Sequence, residues 1–377
     1  MVTYRKARTD ERKAYIRFAD MVFNTAGDGV HFENDIPKVY GCEVDSASMH
    51  NLAVDDAGEI RGLVAMLPGQ MEVGGETLKT GYVGTVSVHP QARGEGHMKR
   101  LMAMTLEDAV RGGMDLMVLG GQRQRYEHFG FAHGGVAYQA KITRGCVTYA
   151  LANVDVQDVT FEEAVPGSHW IGETVRLHRS RRVHCVREES HFLGICRTYQ
   201  SHLWIALRSG EFLGYVVCNA EKDRIVELGV ASAAEMDVLI KAWWQCHKPD
   251  ALLLAMPPWE VEMLRRLAGY AETIQMQPAV HVRILDYARV IRSMLKMKAS
   301  YMPVEDGRLT LEVEGKRLTV AVCNGQVTVE EGGDDPLCLS GLQAAYLLTY
   351  PFDYEGRPRT PAGWFPLPLY FPVPDQF

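Results

Sequence analysis

The sequence predicts a mixed α+β protein of three units, the first two related to each other. Three observations carry this. A chain of 377 residues is too long for one ordinary hydrophobic core. Residues 225–272 repeat the order strand, helix, strand, helix, glycine–aromatic that runs from the strand before Arg93 to Gly130-Phe131. After about residue 280 the texture changes to a helix followed by alternating strands. The expected units are 1–150, 151–280 and 281–377.

Composition narrows the partners. With 40 Lys and Arg against 47 Asp and Glu, the formal charge is -7 and no basic stripe stands out, so nucleic acid is not an expected partner and a cationic small molecule suits the sign better. The N-terminus "MVTYRKARTDERKAYIRF" is charged from its fourth residue and lacks the apolar run of a signal peptide. No stretch approaches the roughly 18 apolar residues of a membrane span. A cytoplasmic protein with reduced thiols is therefore expected, since the eight cysteines form no CxxC pair. His184-Cys185 and Cys246-His247 are adjacent pairs, which rarely converge on one metal, so no metal site is expected.

In the first unit, "RTDERKAYIRFADMVFNTA" spaces Tyr15, Phe18, Met21 and Val22 as a helix does, with acids near its start. "HNLAVDDAGEIRGLVAML" and "QMEVGGETLKTGYVGTVSV" follow as hairpins around Asp-Ala-Gly-Glu and Gly-Gly turns. A tight Arg93-Gly94-Glu95-Gly96 turn then leads into a helix with Met98, Leu101, Met102, Thr105 and Ala109 on one face, ending at Gly112-Gly113. "DLMVLGG" is a short strand and "RQRYEHFGF" a short helix closed by Gly130.

The second unit carries "VASAAEMD" where the first has "VHPQARGEGHMK": the scaffold is kept and the glycine turn is gone. Beyond it, "HVRILDYARVIRSML" predicts an amphipathic helix over 281–295, and "RLTLEVEGKRLTVAVCNGQVTVEEGG" predicts antiparallel strands around an Asn-Gly turn. "SGLQAAYLLTY" predicts another helix. The closing segment "WFPLPLYFPVPDQF" holds too many prolines for a strand interior and is too apolar to float in water, so it should be docked on the protein.

The glycine turn is suited to an anion. A helix N-terminus presents unsatisfied N–H groups and a partial positive charge, Gly94 and Gly96 allow close backbone approach, and Arg93 adds a cationic fork. The dinucleotide pattern G-x-G-x-x-G fails at Lys99, and no Gly-Lys-Ser/Thr follows to make a P-loop. On the glycines alone, a strand-to-helix turn without a ligand is equally open.

"VSVHPQARGEGHMKRLM" resembles motif A of the GNAT superfamily of N-acetyltransferases, V-x-P-x-x-R-G-x-G-x-G/A-x-x-L, through Val88, Pro90, Arg93, Gly94, Gly96 and Leu101, with Met98 departing at the small-residue position. The whole chain is similar to the enhanced intracellular survival (Eis) type: a GNAT domain, a GNAT-like domain without the motif, and a last α+β domain that in that family resembles a sterol carrier protein fold and delivers the C-terminus to the active site. The resemblance implies acetyl-CoA as co-substrate, held by backbone groups at Val86, Ser87 and Val88, by amides of Arg93, Gly94, Glu95, Gly96, His97 and Met98, and beside Gly121 and Gln122. It implies Tyr126 as the acid that protonates the departing thiolate, the N–H near Val86 as donor to the carbonyl oxygen, and the carboxylate of Phe377 as base or amine anchor. Arg265 stands at the place of Tyr126 in the second unit, which is therefore expected not to catalyse. The expected acceptor is an aminoglycoside-like polyamine or a lysine side chain, with Asp28, Glu33 and Asp375 as acids that could line its cleft, and the expected assembly is a homo-hexamer. The competing expectation is a binding protein: a CoA sensor, or a carrier whose last domain holds a lipid.

Overall fold

The computed structural model describes residues 1–24, 29–42 and 44–377. Its first sheet runs in the order Val2–Lys6, His50–Asp55, Ile60–Val73, Glu76–Val88, Leu116–Leu119, Val280–Ile284, Ala132–Gly134. Helix Arg12–Phe23 buries Tyr15, Ile16, Phe18 and Ala19, and helix His97–Arg111 buries Leu101, Met102, Thr105 and Ala109, the face expected from its spacing.

The second sheet runs Thr273–Gln277, Ala137–Thr143, Ala251–Met256, Arg224–Val230, Glu211–Cys218, His202–Arg208, Val159–Glu163. The two sheets exchange a strand. Ala137–Thr143 leaves the first unit to pair with Ala251–Met256 and Thr273–Gln277, while Val280–Ile284 returns from the second to sit between Leu116–Leu119 and Ala132–Gly134. Sheet membership thus crosses the positions 150 and 280 where sequence texture changes.

One element differs from expectation. The helix anticipated over 281–295 is the strand Val280–Ile284 followed by helix Tyr287–Ala299. Apolar residues at 280, 282 and 284 suit a strand paired on both edges, and Asp286, whose carboxylate accepts the Arg289 N–H at 2.9 Å, starts the helix there.

The last unit is a sheet ordered Gln326–Glu331, Lys316–Cys323, Gly307–Val313, Leu337–Leu339, with helices Tyr287–Ala299 and Gly341–Thr349. Asn324 and Gly325 both take positive φ, as a two-residue hairpin turn requires. The proline-rich end is docked: Trp364, Leu367, Leu369 and Phe371 are fully buried in one core with Leu116, Val282 and Leu348. The Leu369 carbonyl accepts the Val136 N–H at 2.7 Å, and the Leu348 carbonyl accepts the Leu367 N–H at 2.6 Å.

Candidate active site

The site begins where two strands part. Glu76–Val88 pairs in parallel with Leu116–Leu119 only from Thr80 to Val83, and beyond Val83 and Leu119 that pairing ends. On its other edge the same strand bulges: Ala65 faces Gly84 and Leu63 faces Ser87, so Thr85 and Val86 together oppose Val64. Thr85 takes φ 52 there. A bulge leaves backbone unpaired and re-aims side chains, which turns the strand's end into a surface for a ligand.

A buried chain of polar groups holds the bulge. The hydroxyls of Thr85 and Tyr40 are 2.7 Å apart, the Tyr40 hydroxyl is 3.0 Å from His50 Nε2, and His50 Nδ1 is 2.6 Å from the Ser46 carbonyl. Burial pushes the His50 imidazole down to about 4, so it is neutral. Because the Ser46 carbonyl only accepts, Nδ1 carries the hydrogen, Nε2 accepts from Tyr40, and Thr85 donates to Tyr40.

Past Val88 the turn opens helix His97–Arg111. Gly94 and Gly96 lie at φ +90 and +84, and a Cβ on either would point into open space. No side chain caps this helix. The N–H groups of its first turn thus face outward beside exposed Arg93, an arrangement that fits a diphosphate. The imidazole of His97 is buried, 2.8 Å from the Tyr4 hydroxyl and 2.9 Å from the Glu95 carboxylate, so it can offer a diphosphate only its amide.

Between the parted strands lies a cavity of about 550 Å³ whose walls include Gly84, Val86, Gly121, Gln122, Tyr126 and Phe377. The structure brings these residues together, although Phe377 is 251 positions after Tyr126 in a chain ending at 377. Tyr126 is buried, and burial raises its phenol above the ordinary range, leaving it protonated at neutral pH. Gly121, at φ +134, admits the ring: a Cβ there would lie 2.7 Å from Tyr126 Cε2. Phe377 is 7 % exposed.

Residues 3–134 match the family described as acetyltransferase (GNAT) domain. The first unit is a GNAT acetyltransferase domain. The fold of the whole chain is similar to three crystal structures. With a GCN5-related N-acetyltransferase from Anabaena variabilis the TM-score is 0.65 at 17 % identity, covering 93 % of this chain and 91 % of that one. A probable N-acyltransferase from Enterococcus faecalis gives 0.65 at 15 %, covering 90 % and 88 %. Eis1 from Mycobacterium abscessus gives 0.62 at 15 %, covering 92 % and 88 %. No curated protein matches the sequence.

The second unit keeps the parting strands and closes the anion seat. Arg224–Val230 pairs in parallel with Ala251–Met256 only at Arg224 and Ile225. Where the GNAT domain leaves its helix open, Ser232 caps helix Ala233–His247 by accepting the Glu235 N–H at 3.3 Å, and the Glu235 carboxylate accepts the Ala231 N–H at 3.0 Å. A carboxylate at that point repels a diphosphate.

The tail that brings Phe377 to the GNAT domain is held from both sides. Arg187, fully buried, donates to the Asp375 carboxylate at 2.9 and 2.6 Å and to Glu227 at 3.1 and 2.6 Å. Burial disfavours the Glu227 carboxylate, but Arg187, His178 and Arg181 outweigh it and hold its pKa well below the usual carboxylate range. From the GNAT domain, the Lys38 ammonium donates to the carbonyls of Pro374, at 2.6 Å, and Gln376. Burial pushes Lys38 down to about 7, partly offset by Asp375.

Of the acids suggested for the acceptor cleft, neither Glu33 nor Asp375 lines the cavity. Asp28 lies outside the described residues, Glu33 pairs with Arg12 at 2.7 Å, and Asp375 is taken by Arg187. Lys38, Gly84, Thr85 and Arg187 were not anticipated; a glycine inside a strand pattern is the one signal that could have pointed to Gly84. Among the described residues no group of three or more His, Cys, Asp and Glu could hold a metal ion, and no helix is long and apolar enough to cross a membrane.

Proposed function

We propose that the GNAT domain transfers the acetyl group of acetyl-CoA directly to an amine held beside Phe377. The observation that carries this is the shared cavity: the end of a parted strand, a buried protonated phenol and the chain's own carboxy terminus line one space. In this reading the amides at Gly94–Met98 and the Arg93 guanidinium hold the diphosphate, and the backbone at Val86, Ser87 and Val88 aligns the thioester arm beside Gly121 and Gln122. The Val86 N–H donates to the carbonyl oxygen as that oxygen gains charge.

Tyr126 gives its proton to the departing thiolate. Between an ordinary phenol near ~10 and a thiol near ~8.5 the step is about 1.5 units, roughly 2 kcal/mol, uphill, and the burial that raises Tyr126 adds to it, so the phenol must be positioned against the sulfur to meet that cost. The Phe377 carboxylate first attracts and orients the ammonium. Its proton affinity, near ~3.5 in water against ~10 for an alkylamine, assigns it deprotonation only through water.

Release of free thiol from acetyl-CoA in the presence of an amine panel tests the reading. Amine-dependent thiol supports it, and none with any amine contradicts it in favour of a CoA sensor or a lipid carrier. A homo-hexamer in the cytoplasm completes the proposal on the strength of the Eis resemblance, and light scattering checks the assembly.

A further inference from the structure

Thr85 stands on the cavity wall next to Val86 and adopts left-handed backbone, at φ 52. A β-branched residue is an outlier in that region, and such backbone persists only where its surroundings impose it. Glycine would enter this conformation freely but would leave it as freely.

Two hydroxyls grip Thr85. Its own hydroxyl donates to Tyr40 at 2.7 Å, and its carbonyl accepts from the Ser87 hydroxyl at 3.0 Å. Tyr40 is itself held hard: it is fully buried, its hydroxyl donates to His50, the Arg12 guanidinium donates to its carbonyl, and its ring lies 5.4 Å from those of Phe32 and His50. His50 in turn stacks on Tyr15 at 4.3 Å. Ser46, His50, Tyr40, Thr85 and Ser87 are all buried, and a satisfied buried network rigidifies what it touches.

The peptide unit joining Thr85 to Val86 is planar and trans, so the Thr85 carbonyl and the Val86 N–H share one plane and point opposite ways. Fixing the carbonyl through Ser87 therefore fixes the N–H. That N–H is the donor assigned above to the thioester oxygen.

We infer that Tyr40 and Ser87 are positioning residues for acetyl transfer: they hold Thr85 in left-handed backbone and so fix the direction of the Val86 N–H. This rests on the acetyl-transfer reading above and names what aims its oxygen donor.

Two readouts test it. With saturating amine, Tyr40→Phe and Ser87→Ala should each lower kcat by about ten-fold, short of the 10²–10³-fold of deleting such a donor, with the acetyl-CoA dissociation constant changed by less than about two-fold. Thr85→Gly should lose as much, Thr85→Ser should keep most of the rate, and Tyr40→Phe should add no further loss in the Thr85→Gly background. Infrared difference spectra with isotope-labelled acetyl-CoA read the hydrogen bond itself: the lowered thioester carbonyl stretch of the wild type should rise in Tyr40→Phe. An unchanged kcat in Tyr40→Phe or in Ser87→Ala overturns the role of that residue, and losses that multiply in the double variant overturn the route through Thr85. Should Tyr40→Phe fail to fold, Ser87→Ala and the contrast between Thr85→Ser and Thr85→Gly decide in the same sense. If no amine turns over, the acetyl-transfer reading falls, and the stretch still decides: a shift lost with the Tyr40 hydroxyl upholds the positioning role, and a shift retained overturns it.

Discussion

The carboxyl carbon of Phe377 lies against Gly84: a Cβ built on that glycine would come within 2.7 Å of it and within 2.7 Å of the ring carbon Cγ. The end of the chain therefore fits the bulged strand of the GNAT domain only because position 84 has no side chain. Gly84→Ala should push the terminus out of the cavity. Amine kcat/KM should fall by about 10²-fold, the cost of roughly 1 Å of misplacement, with acetyl-CoA affinity retained. Steady-state kinetics alongside calorimetry checks both halves.

Extending the chain beyond Phe377 replaces the carboxylate by an amide and adds bulk to a buried end. A variant with two added glycines should bind acetyl-CoA normally and lose most amine turnover. A fully active extended form would remove the carboxylate from the chemistry.

Tyr126→Phe keeps the ring against Gly121 and removes the proton. Turnover should drop by at least about ten-fold, toward the 10²-fold typical of a lost general acid, with the acetyl-CoA dissociation constant little changed. Single-turnover thiol release is the measurement, and an unchanged rate would exclude the tyrosine as acid.

Asp375→Asn leaves buried Arg187 with Glu227 alone. Weakening such a pair from one side should cost up to about 3 kcal/mol and free the tail from the second unit. Urea unfolding reads the stability, and faster trimming by a carboxypeptidase reads the release. Amine turnover should fall with the tail's protection, because the same segment carries Phe377.

Much of the fold is legible in the sequence where local pattern and tertiary demand agree. Leu101, Met102, Thr105 and Ala109 show the helical face, Asn324-Gly325 shows its hairpin, and the apolar tail from Trp364 implies docking. Residues 281–295 read as a single helix because their apolar spacing suits either period, and the strand at their start is decided by pairing partners more than a hundred residues away. In the site, motif A residues are visible because backbone geometry demands glycine at 94 and 96. The clamp on the tail is not: nothing local to Lys38, Arg187 or Asp375 announces that three distant segments meet. Thr85 is likewise ordinary in sequence and unusual only in the backbone it adopts.

A crystal structure of the protein with CoA examines the site most directly. The diphosphate should accept hydrogen bonds from amides within Gly94–Met98, and the sulfur should lie between Val86 and Tyr126, within reach of the phenol and facing Phe377. Density for the coenzyme against the Ser232-capped helix of the second unit, or a sulfur remote from Tyr126, would contradict the proposed chemistry.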